Sequence, residues 1–123
     1  MLNILVVAEE RSIRQAIKFE LEDEGFIVID VNNYQDALSA FNAFKCALVI
    51  SDISNEKENG IRLLNRFKDE PFIAITTFPD SLLGKQARSV LKDRLIEKPF
   101  PIKLLISKVH ETISSNYKYA NAV

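Results

Sequence analysis

Short runs of β-branched and aliphatic residues alternate with amphipathic segments along the chain, and this alternation restricts the fold more than any other sequence feature. The first, third and fourth runs are continuously apolar, as in parallel strands covered on both faces. Nearby charged residues favour edge positions for the second and fifth. The runs that predict strands are Ile4-Leu5-Val6-Val7, Phe26-Ile27-Val28-Ile29, Ala47-Leu48-Val49-Ile50, Phe72-Ile73-Ala74-Ile75 and Arg94-Leu95-Ile96.

Apolar residues recur at helical spacing after each of these runs, so a helix is predicted to follow every strand. The expected boundaries carry residues that often begin or end helices. The boundary residues are Ser12, Gly25, Gly60, Asp80 or Ser81, and Pro101. The apolar stripes are Ile13, Ala16, Ile17 and Leu21; Ala37, Leu38, Phe41 and Phe44; Ile61, Leu63, Leu64 and Phe67; Leu82, Leu83, Ala87, Val90 and Leu91; and Ile102, Leu105, Ile106, Val109 and Ile113.

The repeated β-then-α units predict an α/β fold with a doubly wound, five-stranded parallel sheet in the order 2-1-3-4-5. A chain of 123 residues that is 47% hydrophobic and 27% charged suits a single domain. We place this domain at residues 1–115. The polar segment 116–123 is expected to be a frayed tail or the start of a linker.

Charge, cysteine content and hydropathy exclude several functional classes. The 16 Lys and Arg residues nearly balance the 17 Asp and Glu residues, which argues against direct nucleic-acid binding. Cys46 is the only cysteine, so we expect no internal disulfide and no cysteine-based zinc site, and its apolar surroundings predict burial. The longest uncharged stretch, 71–79, is too short to span a membrane, and no basic residue precedes the first apolar run. We therefore expect a cytoplasmic protein without a membrane partner.

Polar residues follow four of the predicted strands and are expected to meet at one edge of the sheet, where doubly wound folds bind ligands. Glu9 and Glu10 follow the first strand, Asp52 the third, Thr76 the fourth and Lys98 the fifth. Carboxylate oxygens suit a Mg²⁺-type cation, and an aspartate can accept a phosphoryl group. A hydroxyl and an ammonium group stabilise phosphoryl oxygens. This set predicts a phosphoryl-transfer site.

These residues resemble those of the receiver domains of two-component response regulators, the domain type of the chemotaxis protein CheY. The resemblance runs from about Asn3 to Ile113 and implies a flavodoxin-like, CheY-like (βα)5 fold. It is carried by Ile4-Leu5-Val6-Val7-Ala8-Glu9-Glu10, by Leu48-Val49-Ile50-Ser51-Asp52-Ile53-Ser54 with Gly60 eight residues after Asp52, by the strand ending in Thr76, and by Glu97-Lys98-Pro99-Phe100.

The resemblance implies a role for each rim residue. Asp52 would accept a phosphoryl group from a histidine kinase or phosphotransfer protein, and Thr76 and Lys98 would contact that group. Mg²⁺ would be held by Glu9, Asp52 and the backbone carbonyl of Ser54, with Glu10 as a further candidate. The bond between Lys98 and Pro99 would be a cis peptide.

The resemblance also implies partners and a degree of activity. An output protein or domain would bind the fourth helix, fifth strand and fifth helix, and the chain would be a monomer or weak homodimer. It would not be an enzyme, apart from phosphotransfer to itself and autodephosphorylation at Asp52.

The sequence departs from the family pattern at several positions. Ala8 and Glu9 stand where the family usually has two acidic residues, commonly both Asp. Because Ala8 has no ligand oxygen and Glu9 has a longer side chain, we expect weak Mg²⁺ binding. Thr77 stands where the family prefers a small residue, Leu95 replaces the aromatic switch residue, and 54–59 replaces the usual turn. The alternative is therefore a pseudo-receiver, a protein-interaction module that works without phosphorylation.

A small enzyme on the same fold is a weaker hypothesis. Asp52-Ile53-Ser54 lacks the second aspartate that a haloacid-dehalogenase-type phosphatase needs, and no glycine-rich phosphate loop follows the first strand. His110, the only histidine, lies at the border of the fifth apolar stripe, where we expect a surface role.

Overall fold

A computed structural model describes residues 1–54 and 58–122, with side chains for 1–54 and 59–115. Within these ranges, strands and α-helices alternate, and a short 3-10 helix precedes the last strand. The elements are β1 Asn3–Val7, α1 Arg11–Asp23, β2 Ile27–Val31, α2 Tyr34–Ala43, β3 Cys46–Asp52, α3 Glu58–Phe67, β4 Phe72–Thr76, α4 Leu82–Leu91, the 3-10 helix Lys92–Arg94, β5 Leu95–Glu97 and α5 Ile102–Ala122.

The five strands form one parallel sheet in the order β2-β1-β3-β4-β5, which confirms the predicted fold class. The edge strands are β2 and β5, as their flanking charges indicate. At the carboxyl edge, Val7 pairs with Ser51, Asp52 with Ile75, and Thr76 with Glu97. These pairings bring the loops after β1, β3, β4 and β5 to the same edge of the sheet.

The strand side chains alternate between two separate apolar layers, one on each face of the sheet. The α2–α4 layer contains residues of α2, α3 and α4 together with β-strand residues such as Leu5, Val49 and Phe72. The α1–α5 layer contains residues of α1 and α5 with Ile4, Ile50 and others. Because both faces are covered, the central strands are apolar at nearly every position.

Helix boundaries follow some of the predicted signals and contradict others. Gly25 ends α1 with φ +95°, and its amide donates to the Glu22 carbonyl at 3.0 Å. Ser81 caps α4 by accepting from the Gly84 amide at 3.0 Å. Ser12, in contrast, is not the cap of α1, because it is the second residue of the helix, and its exposed hydroxyl donates to the Glu10 carboxylate at 3.1 Å.

Gly60 does not open α3, since the helix already begins at Glu58. Similarly, Phe44 lies just after α2 and is exposed. Some predicted core residues on α3 and α4 are also exposed: Ile61, Val90 and Leu82, the last at 89%. The sheet covers a narrower stripe of each helix than the spacing alone indicates.

Two further predictions concern the burial of Cys46 and the C-terminal end of the domain. Cys46 is only half-buried, because it begins β3 at the open amino edge of the sheet. The helix α5 continues to Ala122, past residue 115. The boundary of the domain at residue 115 stays a prediction.

Candidate functional site

The candidate site lies at the carboxyl edge of the sheet, where Asp52 is the last residue of β3 and Thr76 the last residue of β4. Lys98 directly follows β5, and its amide donates to the Thr76 carbonyl at 2.9 Å. The Lys98–Pro99 peptide bond is cis. Parallel pairing of the strands thus places the three predicted phosphoryl-site residues side by side.

The carboxylate of Asp52 is held by two donors. Lys98 Nζ lies 2.6 Å from Asp52 Oδ2, and the Ser54 amide donates to Asp52 Oδ1 at 2.8 Å. The side chains of Asp52 and Lys98 are only 11% and 20% exposed, respectively. A carboxylate this far removed from water needs such partners. The two contacts fix the orientation of the carboxylate at the rim.

The two threonines that follow the fourth strand face different partners. Thr76 is buried, and its Oγ1 accepts a hydrogen bond from the Phe78 amide at 3.0 Å. Thr77 is exposed, and its amide donates to Ser54 Oγ at 2.9 Å. The hydroxyls of Ser54 and Thr77 are also 3.1 Å apart. The loops after β3 and β4 are therefore joined directly above the site.

The acidic pair after β1 is divided between two cavities. Glu9 lines a small cavity of about 20 Å³ together with Ala8, Asp52 and Asn59. Glu10 precedes α1 and lines a different, apolar groove. Glu9 therefore borders the same cavity as Asp52, whereas Glu10 borders the apolar groove.

Hard oxygen donors border the small cavity, and this donor set fits a divalent cation with few protein ligands, because Mg²⁺ commonly keeps several waters. These residues do not amount to a metal site built from protein side chains alone. In the part of the chain that the structure describes, no group of three or more His, Cys, Asp or Glu side chains is arranged to hold a metal ion.

Arg14 anchors the loop after β1, a role that the sequence analysis missed. Its Nη1 donates to the Ala8 carbonyl at 2.9 Å, and its Nε contacts Asp30 Oδ2 at 3.1 Å. Lys18 Nζ also lies 3.1 Å from Asp30 Oδ1. Burial alone opposes the charged form of Asp30, but hydrogen bonds from Lys18 and Arg14 outweigh it and lower the pKa of this carboxyl. The sequence feature that could have predicted this role is the pair of basic residues on α1, Arg14 and Lys18, one turn apart.

A shallow apolar groove of about 580 Å³ begins at the rim. Lys98 and Thr77 border it on the side of the site, and the rest is mainly apolar surface of α1 and of the segment leading into α5. The apolar residues are Ile13, Ala16, Ile17, Pro99, Phe100 and Ile102. A partner seated in this groove would lie beside Asp52.

Leu95 occupies the position that the resemblance assigns to an aromatic switch residue. It lies on β5 opposite Ala74 and is 6% exposed, within the α2–α4 layer. Its aliphatic side chain is part of the core.

The remaining sequence candidates lie away from the rim. His110 is exposed, with Nε2 2.9 Å from Glu24 Oε1, as expected of a surface residue. Cys46 lines a cavity of about 610 Å³ near the amino edge of the sheet, and burial raises the pKa of its thiol. Among the described helices, none is long and apolar enough to cross a bilayer.

Comparison with known proteins places this arrangement in context. Residues 4–110 match the family model described as the response regulator receiver domain. Among relatives, Response regulator RR06 of Streptococcus pneumoniae is 29% identical over 119 residues. An uncharacterized 14.6 kDa protein of Leptolyngbya boryana is 31% identical over 111 residues and is covered over 85% of its length, as is this chain.

Solved structures show the same architecture. The Francisella response regulator 1452 receiver domain superposes with a TM-score of 0.78 at 23% identity, covering 94% of this chain and 99% of that one. Chemotaxis response regulator CheY4 of Vibrio cholerae gives 0.71 at 25% identity, covering 91% and 98%. The match to RR06 covers 94% of this chain but only 55% of RR06, so this chain spans about half the length of that regulator.

Proposed function

This chain belongs to the response regulator receiver domain family, and on that premise we propose that Asp52 accepts a phosphoryl group from a histidine kinase or a phosphotransfer protein. The observation that carries the proposal is the 2.6 Å contact between Lys98 Nζ and Asp52 Oδ2, with Thr76 at the end of the adjoining strand. A carboxylate with a neighbouring ammonium group and hydroxyl suits phosphoryl transfer, which depends mainly on positioning and charge neutralisation.

The proposed step makes a bond between phosphorus and one carboxylate oxygen of Asp52. The bond between phosphorus and its donor atom breaks, and the donor leaves with that electron pair, so the product is an aspartyl phosphate. The phosphoryl group brings a charge of about −1.5 to −2 to the rim. Lys98 then contacts a phosphoryl oxygen, and the Thr76 hydroxyl donates a hydrogen bond to another.

Glu9, Asp52 and the backbone carbonyl of Ser54 would hold Mg²⁺ in this proposal. The cation would neutralise charge on the phosphoryl oxygens. Ala8 has no oxygen to offer a metal-bound water, and the Glu9 carboxylate stands on a longer side chain than aspartate. We therefore propose weak binding, because Mg²⁺ demands near-ideal octahedral geometry. Glu10, on the groove side, contributes least.

The donor would dock in the apolar groove along α1, since the groove is the apolar surface that borders Lys98 and Thr77. The output partner would bind α4, β5 and α5. Exposed Leu82 and Val90 lie on α4, and Arg88 on the same helix pairs with Glu97, the residue before Lys98. Movement at Lys98 therefore has a direct contact through which to reach α4.

The rest of the proposal concerns the whole protein. We infer a monomer or weak homodimer in the cytoplasm, without catalysis beyond phosphotransfer to Asp52 and loss of the group again. This chain spans about half the length of RR06, so the output of the whole protein is also a proposal.

The second candidate function is a pseudo-receiver that binds its partner without phosphorylation. Two observations favour it: Ala8 lines the cavity where a second acidic residue would lie, and Leu95 is buried as an aliphatic core residue. In that case, partner binding is unchanged by Asp52→Asn and by removal of divalent cations. A marked loss of affinity in either test contradicts it.

Acetyl phosphate with Mg²⁺ tests the main proposal directly. We expect intact-mass spectrometry to show a gain of about 80 Da in the wild type, which is the mass of one phosphoryl group. Asp52→Asn should remove the gain, because the amide is not a phosphoryl acceptor. Asp69→Asn, at an exposed position after α3, is the matched control and should keep it. Absence of an adduct in the wild type at every Mg²⁺ concentration would refute phosphorylation.

A further inference from the structure

Two hydrogen bonds join the loop after β3 to the loop after β4, and both use the side chain of Ser54. Ser54 Oγ accepts from the Thr77 amide at 2.9 Å and lies 3.1 Å from Thr77 Oγ1. The backbone of Ser54 is fixed at the same time, because its amide donates to Asp52 Oδ1 at 2.8 Å. We call this set of contacts the Ser54–Thr77 clamp.

The clamp holds the loop after β4, and a contact with that loop orients the hydroxyl of Thr76. Thr76 Oγ1 accepts from the Phe78 amide at 3.0 Å, two residues after the strand end. The same loop is fixed at its far end, where Ser81 Oγ donates to the Phe78 carbonyl at 2.8 Å. The loop is therefore held at both ends, and Thr76 Oγ1 accepts a hydrogen bond from an amide of that same loop.

We expect the charge of a phosphoryl group on Asp52 to draw the Thr76 hydroxyl towards it and so to change this arrangement. If Thr76 Oγ1 turns towards the phosphoryl group, the Phe78 amide loses its acceptor, and a backbone amide without a partner is costly. The loop must then shift to satisfy that amide. Because Thr77 adjoins Thr76, such a shift pulls Thr77 away from Ser54.

We propose that the Ser54 hydroxyl is a positioning group that restrains phosphoryl acceptance by holding Thr77, and through it Thr76, in the arrangement of the unphosphorylated chain. This inference rests on the proposed function of Asp52 and adds a residue that controls its rate. Ser54 does not touch the phosphoryl group through this hydroxyl. It acts on the loop that delivers the Thr76 hydroxyl.

Rates of adduct formation with acetyl phosphate and Mg²⁺ test the clamp. Ser54→Ala removes both bonds and should increase the rate about three- to tenfold, as expected for the loss of one or two net hydrogen bonds. Ser54→Thr keeps the hydroxyl, so its rate should rise less than the rate of Ser54→Ala. Ser39→Ala, at an exposed position on α2, is the matched control and should leave the rate unchanged.

Thr77→Val separates the hydrogen bond from simple obstruction of the site by the side chain. Valine keeps the bulk of threonine but loses the 3.1 Å hydroxyl contact, so the clamp predicts a smaller increase than in Ser54→Ala. If the side chain only obstructs the site, Thr77→Val leaves the rate unchanged and Thr77→Ala alone raises it. That pattern, or an unchanged rate in Ser54→Ala, would overturn the proposal.

Amide hydrogen exchange provides a second measurement that does not require phosphorylation. In Ser54→Ala, the amides of Thr77 and Phe78 should exchange faster, while those of β1 and β4 keep their protection. Unchanged exchange at Thr77 would show that the clamp does not hold the loop. If the wild type forms no adduct but Ser54→Ala exchanges faster, the role of Asp52 fails and the loop restraint stands, without its effect on phosphorylation.

Discussion

Lys98 Nζ reaches Asp52 Oδ2 at 2.6 Å across the end of β4, although the two residues are 46 positions apart and their strands are not neighbours in the sheet. The contact is partly shielded from water at both side chains. It links the middle of the sheet to its edge. Its strength can therefore be measured as a coupling between two residues of the site.

A double-mutant cycle of Asp52→Asn and Lys98→Met should reveal this coupling. We expect a coupling free energy of about 1–3 kcal/mol, between the values typical of exposed and of buried ion pairs. Urea unfolding of the wild type, both single variants and the double variant gives the number. The exposed pair of Arg88 and Glu97 is the comparison and should couple more weakly. A coupling no larger than in that pair would contradict the view of the contact as shielded.

Much of this arrangement follows from the sequence. Continuous apolar runs separated by helical stripes predict a parallel sheet, and a parallel sheet brings residues that follow strands to one edge. The positions of Asp52, Thr76 and Lys98 at the ends of strands are therefore enough to predict that they lie together, without any side-chain contact being known.

Contacts between loops lie beyond such reasoning. The bonds of Arg14 to the Ala8 carbonyl and of Ser54 to Thr77 depend on side-chain directions that no periodicity records. The prediction that every residue of a helical stripe is buried is wrong for a related reason. Leu82 fits the helical stripe of α4, but the sheet is too narrow to cover it, and it is 89% exposed.

Adding a carboxylate at position 8 should strengthen Mg²⁺ binding. Ala8→Asp places a second oxygen donor in the cavity that Glu9 and Asp52 line, and we expect a gain in affinity of about tenfold. Isothermal titration calorimetry measures the affinity, and circular dichroism checks the fold, because the cavity is small. Ala43→Asp adds the same charge at an exposed position on α2. An equal gain there would mean that charge at a distance, rather than ligation, is responsible.

Stability should depend on pH through Asp30. Because the pKa of Asp30 is lowered in the folded protein, its stabilising contribution is complete above the ordinary value of 3.8 and is lost as the pH falls through the folded-state pKa. We expect Asp30→Asn to cost about 1 kcal/mol at pH 7. The difference from the wild type should shrink below pH 3.8. Unfolding curves at several pH values measure it, with exposed Asp23→Asn as the control; a difference that does not change with pH would contradict the assignment.

A side chain at position 84 should destabilise the protein, although alanine favours helices over glycine. A Cβ on Gly84 would overlap the Phe78 carbonyl and lie 2.5 Å from the Pro79 carbonyl oxygen. We expect Gly84→Ala to cost about 1–3 kcal/mol, which exceeds the gain in helix propensity. Ser89→Ala on the exposed side of α4 should be neutral or slightly stabilising. Thermal unfolding compares the two, and a more stable Gly84→Ala variant would show that the loop yields freely.

Removing the hydroxyl group of Ser51 should stabilise the folded protein. Its hydroxyl is fully buried and has no hydrogen-bond partner among the described residues. Because burial of an unpaired hydroxyl is unfavourable, Ser51→Ala should raise the free energy of unfolding by about 1 kcal/mol. Urea unfolding tests this, with Ser114→Ala as an exposed control. A loss of stability would mean that the hydroxyl has a partner or fills space that the methyl group leaves empty.

The division of the core by the sheet has a practical consequence for protein engineering. The α2–α4 layer and the α1–α5 layer have no residue in common, and the groove beside Asp52 is built on the second of them. Substitutions in separate layers are expected to have additive effects. Thermostable variants repacked beneath α2 and α3 should therefore leave intact the groove along α1 where we propose that the donor docks.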